Sequence, residues 1–475
     1  MELWQTGAVE LGRLIQQGLT SSRDVVQAHL DRLHQVNPHL NAITEVMAEA
    51  ALAAADAADR EIRGGRSRGP LHGVPYTAKT SVDVAGSATT HGVPALSHAV
   101  AAADSPHIAR LREAGAIVLG RTNMPNFGFR WHTDSTLYGP TVNPWDPART
   151  PGASSGGDAV AVATGMAPLA MGNDYGGSLR WPAQACGVTA LRPTRTRVPY
   201  YAAAPAELPF TIQMCATNGP IARHAADLTA ALSIISGQHP DDPWSVSVPL
   251  AGPPLPRSVA VTYDPAGVGV DPDVADGIRK AADALADAGY EVHEIDPPRV
   301  GEAGRAYAAL ASAEMRLNPP FWHDNLSAGQ RLFLDAFLEV NDQYTLWDYA
   351  AALSERQAVA RAWAHLQQRY PIILGPVSGD QPFEVGADMR GAETVARLVD
   401  GNLLLILVNF IDLPAVVTPV GVAAGLPQSV QLIGPRYRDD VCLQAAQAIE
   451  DRLGVLGPIT PAALAGTLSD AVPAR

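Results

Sequence analysis

Short apolar runs alternate with helical segments and with glycine- and proline-rich loops from Leu71 to about Val198. GVPYTAK ends one short apolar run, HIARLREAG has helical character, and AIVLGRT follows it as another short strand. The same order returns at 258–297, where VAVTYD, DPDVADGIRKAADALADAGY and YEVHEID predict a strand, a helix and a strand. This alternation predicts an α/β fold with a βαβ crossover unit in its second half.

Helical patterns precede and interrupt these strands. In the first 60 residues, apolar side chains recur at helical spacing, and Ser21 stands three positions before Asp24, as in a helix cap. The stretch from Gly301 to Arg369 is also helical in character and rich in aromatic residues. We therefore expect an N-terminal helical arm over residues 1–65 and one large domain over 66–475. Within that domain we place the core at about 71–198 and a helical insertion at about 301–369.

The composition excludes several classes of protein. With 34 Lys and Arg against 48 Asp and Glu, the net charge is −14, and no nucleic-acid partner is expected because phosphate binding needs clustered positive charge. The longest strongly apolar run, LLLILV, is far shorter than the roughly 18 residues of a membrane span. The N-terminal sequence contains acids and no apolar stretch, which does not favour a signal peptide. Three widely spaced cysteines match neither a disulfide framework nor a metal-binding pattern, so we expect a cytoplasmic protein without a membrane partner.

The most unusual stretch of the chain runs from Thr150 to Arg180. It holds two glycine-serine clusters, GASSGG and YGGS, separated by small residues with helical character. One such cluster alone is typical of helix caps and tight turns. Two clusters on either side of one small-residue helix indicate a catalytic loop.

One motif in this stretch suggests a different class of enzyme. Residues Gly152 to Gly156 match GxSxG, the nucleophile elbow of α/β-hydrolases, which needs an apolar strand directly before it. Here the preceding residues are NPWDPARTP, and three prolines do not fit a central strand. None of the 13 histidines stands in a recognisable triad context. A Ser-His-Asp hydrolase is therefore not favoured.

Successive blocks of the chain resemble the amidase signature family. They are GVPYTAKTSVDVAG, GRTNMPNFGF, NPWDPARTPGASSGGDAVAVATG and GNDYGGSLRWPAQACGVTALRPT, followed by NFIDLPAVVTPVG in the C-terminal part. The resemblance covers most of the chain. It implies an α/β fold with a mixed sheet sandwiched between helices, and a hydrolase that cleaves C–N bonds through a Ser-Ser-Lys triad.

The resemblance assigns the triad to three residues. Lys79 in GVPYTAK matches the lysine, and Ser178 in YGGS matches the nucleophile. Ser154 in GASSGG matches the bridging serine, which in the family follows a cis peptide bond. The separation of the two serines, 178 − 154 = 24 positions, agrees with the spacing in the family.

Each of these roles makes a physical demand. A serine hydroxyl needs a base to remove its proton, and a lysine serves as that base only when burial lowers its pKa. Without the family block, Lys79 would be interpreted as a surface lysine with its charge in water. Successive amide N–H groups before the nucleophile can stabilise an oxyanion, so the expected oxyanion hole comprises Tyr175, Gly176 and Gly177.

The segment after NMPNF lines the substrate pocket in the family, and here it spans Gly128 to Trp131. We assign Gly128, Phe129 and Trp131 to substrate binding, within a stretch that carries five aromatic residues between positions 124 and 145. Aromatic side chains also fill ordinary cores, and that alternative stays open. A functional cluster favours an aryl or apolar group beside the scissile carbonyl.

Several residues depart from the common pattern of the family. Thr80 stands where an acid usually follows the lysine, so no adjacent carboxylate is expected to hold a proton on Lys79. The other departures are at Asn126, Ala153, Asp158, Tyr175 and Trp181. They leave the triad intact and predict an altered pocket.

We therefore predict a serine amidohydrolase that cleaves an amide, anilide or carbamate of a small aryl or apolar substrate through an acyl-enzyme. A urethanase, which cleaves carbamates, falls within this prediction, and no metal or cofactor is implied. One alternative is the glutaminase subunit of an amidotransferase, which needs a partner chain. Another is a non-catalytic relative that acts as a binding module. The expected partner is a small molecule, and the expected assembly is a monomer or homodimer.

Overall fold

A mixed sheet of eleven strands crosses the middle of the molecule. The computed structural model describes residues 2–201, 208–461 and 464, and within them a two-stranded ribbon lies apart from this sheet. In chain order, the strands are β1 (Ile43–Val46), β2 (Pro75–Lys79), β3 (Ile117–Thr122), β4 (Asp134–Ser135), β5 (Gly139–Pro140), β6 (Leu169–Asp174), β7 (Thr189–Arg192), β8 (Thr217–Ala222), β9 (Ser258–Val261), β10 (Glu291–Glu294), β11 (Ile372–Pro376), β12 (Ala415–Ala423) and β13 (Leu426–Ile433).

The strand order in the large sheet is β1-β3-β2-β6-β8-β7-β12-β13-β11-β9-β10. Strand β2 runs parallel to β3 and β6, and β9 runs parallel to β10 and β11. The strands between these two groups pair antiparallel. The predicted mixed sheet is therefore confirmed, and so is the βαβ unit at 258–297.

Sixteen α-helices of the described residues cover both faces of the sheet. They are α1 (Ala8–Gln16), α2 (Ser22–Leu40), α3 (Ala48–Arg63), α4 (Pro106–Glu113), α5 (Gly156–Ala163), α6 (Arg180–Cys186), α7 (Phe210–Cys215), α8 (Ala225–Ile235), α9 (Pro272–Asp287), α10 (Val300–Met315), α11 (Pro319–Asn325), α12 (Ala328–Val340), α13 (Leu346–Arg369), α14 (Ala392–Gly401), α15 (Leu403–Phe410) and α16 (Asp439–Leu453). One face packs mainly against α1, α4, α8, α9 and α16. The other packs mainly against α2, α3, α5, α6 and the helices from α10 to α15.

The N-terminal region contains a strand where helices alone are predicted. Asn41 ends α2 in a left-handed conformation with a φ of 50°, and β1 then pairs antiparallel with β3 at the edge of the sheet. The run Ile-Thr-Glu-Val of β1 is rich in β-branched residues, which favour a strand. The expectation of helices throughout the first 60 residues is therefore wrong at β1. The boundary between residues 65 and 66 stays a prediction, and residues 465–475 of the predicted domain lie outside the described residues.

Two smaller expectations concern helices. The cap of α2 is confirmed, because the Ser21 hydroxyl oxygen accepts a hydrogen bond from the Asp24 N–H at 3.0 Å. Helices α10 to α13 occupy the stretch in which a helical insertion is predicted. No helix of the described residues is both long and apolar enough to cross a membrane.

Candidate active site

Lys79 is the last residue of β2 and is wholly buried, with 0% of its surface exposed. Side chains alternate along the strand, so Tyr76 and Ala78 face one core and Lys79 faces the opposite side, where α5 packs. The Lys79 Nζ donates hydrogen bonds to Ser154 Oγ and to Asn173 Oδ1, both at 2.7 Å. The structure thus brings the predicted lysine and bridging serine into direct contact.

The surroundings of Lys79 favour its neutral form. Burial lowers the pKa of the Lys79 ammonium well below its ordinary value, and the negative charges of Asp158 and Asp174 offset only part of that effect. The expectation from Thr80 that no carboxylate lies near Lys79 is wrong, because α5 supplies Asp158 from elsewhere in the sequence. A buried and hydrogen-bonded amine of this kind can act as a base.

Ser154 lies in the loop that leads into α5. The Ala153–Ser154 peptide bond is cis, as the family resemblance implies. Ser154 is 3% exposed, and a Cβ added at Gly128 would lie 3.1 Å from its Oγ. A side chain at Gly157 would collide with the backbone of Asn123, so glycine lets the start of α5 approach β3 closely. Ser154 therefore contacts Lys79 and lies close to Gly128 of the predicted substrate segment.

Ser178 lies in the loop between β6 and α6 and is half-buried. Its carbonyl oxygen accepts a hydrogen bond from the Ser155 N–H at 3.1 Å, which ties the two glycine-serine clusters together. Within the described part of the chain, the Ser178 hydroxyl forms no hydrogen bond, including none to Ser154. The structure joins the two clusters and leaves the Ser178 hydroxyl without a protein partner among these residues.

The glycine loop after β6 is organised by Asp174. Its carboxylate accepts hydrogen bonds from the N–H groups of Gly177 at 2.9 Å and Leu179 at 3.1 Å, and it pairs with Arg180 Nε at 3.0 Å. Burial disfavours the charged carboxylate, but Arg180 and Arg192 outweigh burial and hold the pKa of Asp174 below its usual range. The Asp174 carboxylate therefore stays charged near neutral pH and holds the glycine loop in place through these hydrogen bonds.

This arrangement modifies the predicted oxyanion hole. The Gly177 N–H donates to Asp174, so it is already engaged. Among the described residues, the N–H groups of Tyr175, Gly176 and Ser178 have no acceptor. These three amides are therefore the candidate oxyanion donors, with Ser178 taking the place predicted for Gly177.

The predicted substrate segment lies against the helical insertion. The ring centroid of Phe129 is 5.5 Å from those of both Trp322 and Phe333, and that of Trp131 is 5.7 Å from Phe333. Trp322 belongs to α11 and Phe333 to α12. These two residues, hereafter the aromatic wall, pack against the rings of the segment.

Polar contacts fasten the segment to the same helices. Gln330 Nε2 donates to the Phe129 carbonyl oxygen at 3.0 Å, and Asn126 Nδ2 donates to the Asn325 carbonyl oxygen at 2.7 Å. Asn126 is one of the departures from the family pattern, and here its amide serves as a donor that a carboxylate lacks. The insertion and the substrate segment therefore form one connected unit.

Residues 24–443 match the profile of the amidase family, a span that covers most of the chain. The chain belongs to the amidase signature family. Its relatives include an indoleacetamide hydrolase of Bradyrhizobium diazoefficiens, 40% identical over 96% of this chain and 88% of the relative. They also include one of the subunits of the glutamyl-tRNA(Gln) amidotransferase of Moorella thermoacetica, 33% identical over 95% of this chain and 97% of the relative.

Solved structures of other amidase signature proteins have the same fold. A bacterial aryl acylamidase of the family superposes with a TM-score of 0.82 at 26% identity and covers 99% of both chains. A 6-aminohexanoate cyclic dimer hydrolase, solved with its substrate, superposes with a TM-score of 0.80 at 27% identity, over 95% of this chain and 98% of the other. The family and these relatives make the chain an amidase that hydrolyses C–N bonds.

Three of the histidines between residues 71 and 198, namely His72, His91 and His132, are not placed to supply a base to this amidase site. Burial lowers the pKa of His72, and it lowers the pKa values of His91 and His132 to about 4. In the described residues, no hydrogen bond joins any of the three to Ser154 or Ser178. The geometry therefore gives no support to a Ser-His-Asp site.

Sequence reasoning missed several neighbours of the site. In the sequence, the only indication that Asn173 contacts Lys79 is its position at the end of an apolar run. The aromatic density of the insertion was the available signal for the aromatic wall. Tyr307 of α10 carries no sequence signal, yet a Cβ added at Gly176 would lie 3.2 Å from its hydroxyl oxygen.

Proposed function

We propose that this amidase hydrolyses a small aryl or apolar amide through an acyl-enzyme on Ser178. The observation that carries the proposal is the hydrogen bond from the fully buried Lys79 amine to Ser154, beside the loop that holds Ser178. A lysine with only a packing role would keep its charged end in water, whereas a base must be buried enough to lose its proton.

In the proposed reaction, neutral Lys79 takes the proton of Ser154 while Ser154 takes the proton of Ser178. The Ser178 oxygen attacks the carbonyl carbon of the substrate. The N–H groups of Tyr175 and Gly176, together with that of Ser178, stabilise the negative charge that develops on the carbonyl oxygen. The proton returns through Ser154 to the leaving amine, and water then releases the acid from Ser178 by the same relay.

The aromatic wall supports a planar aromatic group on the acyl side of the substrate. Phe129 and Trp131 pack against it, so the segment beside Ser154 presents an aromatic surface against which an aryl ring would gain apolar contact. The relatives named as indoleacetamide hydrolase and aryl acylamidase agree with such a substrate. We place arylacetamides such as indole-3-acetamide first, with anilides and aryl carbamates in the same proposal.

We further propose that the enzyme acts in the cytoplasm as a monomer or homodimer, without nucleic acid or membrane.

The test is a substrate panel given to the purified chain alone: indole-3-acetamide, an anilide, an aryl carbamate and glutamine. Ser178→Ala is the matched control. We expect wild type to hydrolyse the aryl amide and the variant to be inactive. Equal rates for the two proteins would contradict the assignment of Ser178. Preference for glutamine would favour the glutaminase alternative, and inactivity on every compound would favour a binding module.

A further inference from the structure

A second buried ionisable group lies on the same side of the sheet as Lys79. Strand register sets Thr122 of β3 directly beside Lys79, and it sets Gly172 of β6 beside Lys79 on the other side, one residue beyond the Ala78–Met171 pair. Both neighbours touch the Asp158 carboxyl: Thr122 Oγ1 donates to Asp158 Oδ1 at 2.5 Å, and a Cβ added at Gly172 would lie 3.0 Å from Asp158 Oδ2. The carboxyl therefore lies over β2 at the level of Lys79.

The Asp158 carboxyl has few partners of its own. It is 0% exposed, and its Oδ2 accepts no well-formed hydrogen bond in the described residues. The hydroxyl of Ser155 lies beside it and lowers the cost of its charge, but that hydroxyl also donates to the Asn173 carbonyl oxygen at 3.4 Å. A buried carboxylate with so little compensation depends strongly on the nearest positive charge.

Other charged groups near Lys79 are already committed. Asp174 is paired with Arg180, at 3.0 Å. Arg121 approaches from β3, but its guanidinium donates to the carbonyl oxygens of Ala78, Lys79 and Val82.

His91 also faces Lys79, and burial lowers the pKa of His91 to about 4, so this side chain is neutral near pH 7. Of the groups whose charges act on Lys79, Asp158 is therefore the one whose own charge changes with that of the amine. Burial raises the pKa of Asp158 and lowers that of Lys79, which brings the two titrations together.

We propose that Asp158 is a positioning residue that controls the protonation of Lys79. Its ionised carboxylate holds a proton on the amine, and its protonated carboxyl leaves the amine free to act as a base. This inference rests on the proposed function of Lys79 and adds to it a specific partner on α5. It assigns a role to a residue that differs from the common pattern of the family.

The experiment is the pH dependence of kcat/KM for Asp158→Asn, a variant of nearly the same shape without the charge. We expect the ascending limb to move to lower pH by roughly one to two units, because the ammonium form of Lys79 loses a nearby negative charge. The alkaline plateau should be retained, since Lys79 is neutral there in both proteins. A lower plateau with an unmoved limb would show a merely structural role and would overturn the proposal.

Two further measurements keep the test decisive. Thr122→Val removes the donor to Asp158 and should also move the limb to lower pH, whereas Thr122→Ser keeps the hydroxyl and should not. The rate at which phenylmethylsulfonyl fluoride inactivates each protein follows the same protonation without turnover, so it serves any variant that folds but turns over slowly. An unmoved limb in Asp158→Asn contradicts the inference, whatever the result for Thr122→Val.

The controls separate this inference from the proposed function. Asp227→Asn removes another buried carboxyl, one that accepts the N–H groups of Ala8 and Val9 far from the site, and should leave the limb in place. If Lys79→Ala and Ser178→Ala abolish activity while Asp158→Asn leaves the limb unmoved, only the role of Asp158 is wrong. If Ser178→Ala stays active, the proposed function itself is wrong.

Discussion

The two hydrogen-bond partners of Lys79 differ in kind. Ser154 has a hydroxyl that both donates and accepts, so it can pass a proton, whereas Asn173 Oδ1 only accepts. Asn173 is itself held by a hydrogen bond from its Nδ2 to Ser81 Oγ at 2.8 Å. One partner therefore takes part in the proposed proton relay, and the other fixes the direction of the amine.

Loss of the lysine is expected to be as severe as loss of the nucleophile. Lys79→Ala and Ser178→Ala should each lower kcat by about 10⁴-fold or more, because residues that act as one unit lose their effect together. Steady-state kinetics on the two single variants and the double variant measure this. A double variant far slower than either single variant would show that the two residues act independently.

The pH dependence of the wild type should reflect a base with a lowered pKa. Because burial lowers the pKa of Lys79, kcat/KM for a neutral substrate should rise at a pH below the ordinary lysine range, about 10.4, and then level off. Asn173→Asp places a negative charge against the amine and should move that rise to higher pH. Asn173→Ala is the uncharged control, for which we expect a lower plateau without the alkaline shift. A rise that Lys79→Ala leaves in place would contradict the mechanism.

The assignment of Lys79, Ser154 and Ser178 comes from the sequence motifs, because each residue lies inside a block of characteristic residues. Asn173 and Asp158 were visible as residues but not as neighbours of the lysine. Their proximity depends on strand register, which sets β6 beside β2 and α5 across both. A single sequence carries little information on register between strands that are far apart in the chain.

At the scale of elements, the helical insertion packs against the proposed substrate segment. The aromatic segment was predictable from its density of rings, but its five aromatic residues do not stay together: Trp145 Nε1 donates to the Cys186 carbonyl oxygen, away from the aromatic wall. Strand β1 was missed because it lies between two strongly helical segments. In both cases, tertiary packing decides what local composition leaves open.

Shortening the aromatic wall should change selectivity more than chemistry. Phe333→Ala removes the ring that holds both Phe129 and Trp131 in place, and an aromatic contact between such rings and an aryl substrate is worth about 0.5–1.5 kcal/mol. We expect kcat/KM for indole-3-acetamide to fall by roughly tenfold and that for a small aliphatic amide to change little. Competition between the two substrates measures the ratio directly. An equal fall for both would place Phe333 in the support of the catalytic loop instead.

At the scale of the whole molecule, one buried charge network joins the two halves of the chain. Arg180 pairs with Asp174 and also donates to Gln431 Oε1 at 2.7 Å and to the Leu405 carbonyl oxygen at 2.9 Å. Asn409 Nδ2 donates to Asp174 Oδ1 at 2.8 Å. The loop that holds the proposed nucleophile is thus supported by residues from the C-terminal part of the sheet and from α15.

This network predicts how stability depends on pH. The pKa of Asp174 is lower in the folded chain than in the unfolded one, so its contribution is fully present above the unfolded value of about 3.9 and is lost as the pH falls toward the folded value. Asp174→Asn should lower the free energy of unfolding by about 3–5 kcal/mol near pH 7, and by less in acid. Urea titrations near pH 7 and at a pH below about 3.9 measure the free energy of unfolding of the wild type and the variant. Asp276→Asn, in an exposed ion pair, is the control expected to show no change. Equal destabilisation by Asp174→Asn at both pH values would contradict the assignment.

The order of the strands has a consequence for synthesis on the ribosome. Strand β12 pairs with β7, and β13 joins β12 to β11, so two strands from the end of the chain lie in the middle of the sheet. Until Ala415 and the residues after it have emerged, β7 and β11 are open edges to which other nascent chains can pair. A transcript that ends before β12 should therefore yield an aggregating product, and an inactive one, even though it encodes all three residues of the proposed triad.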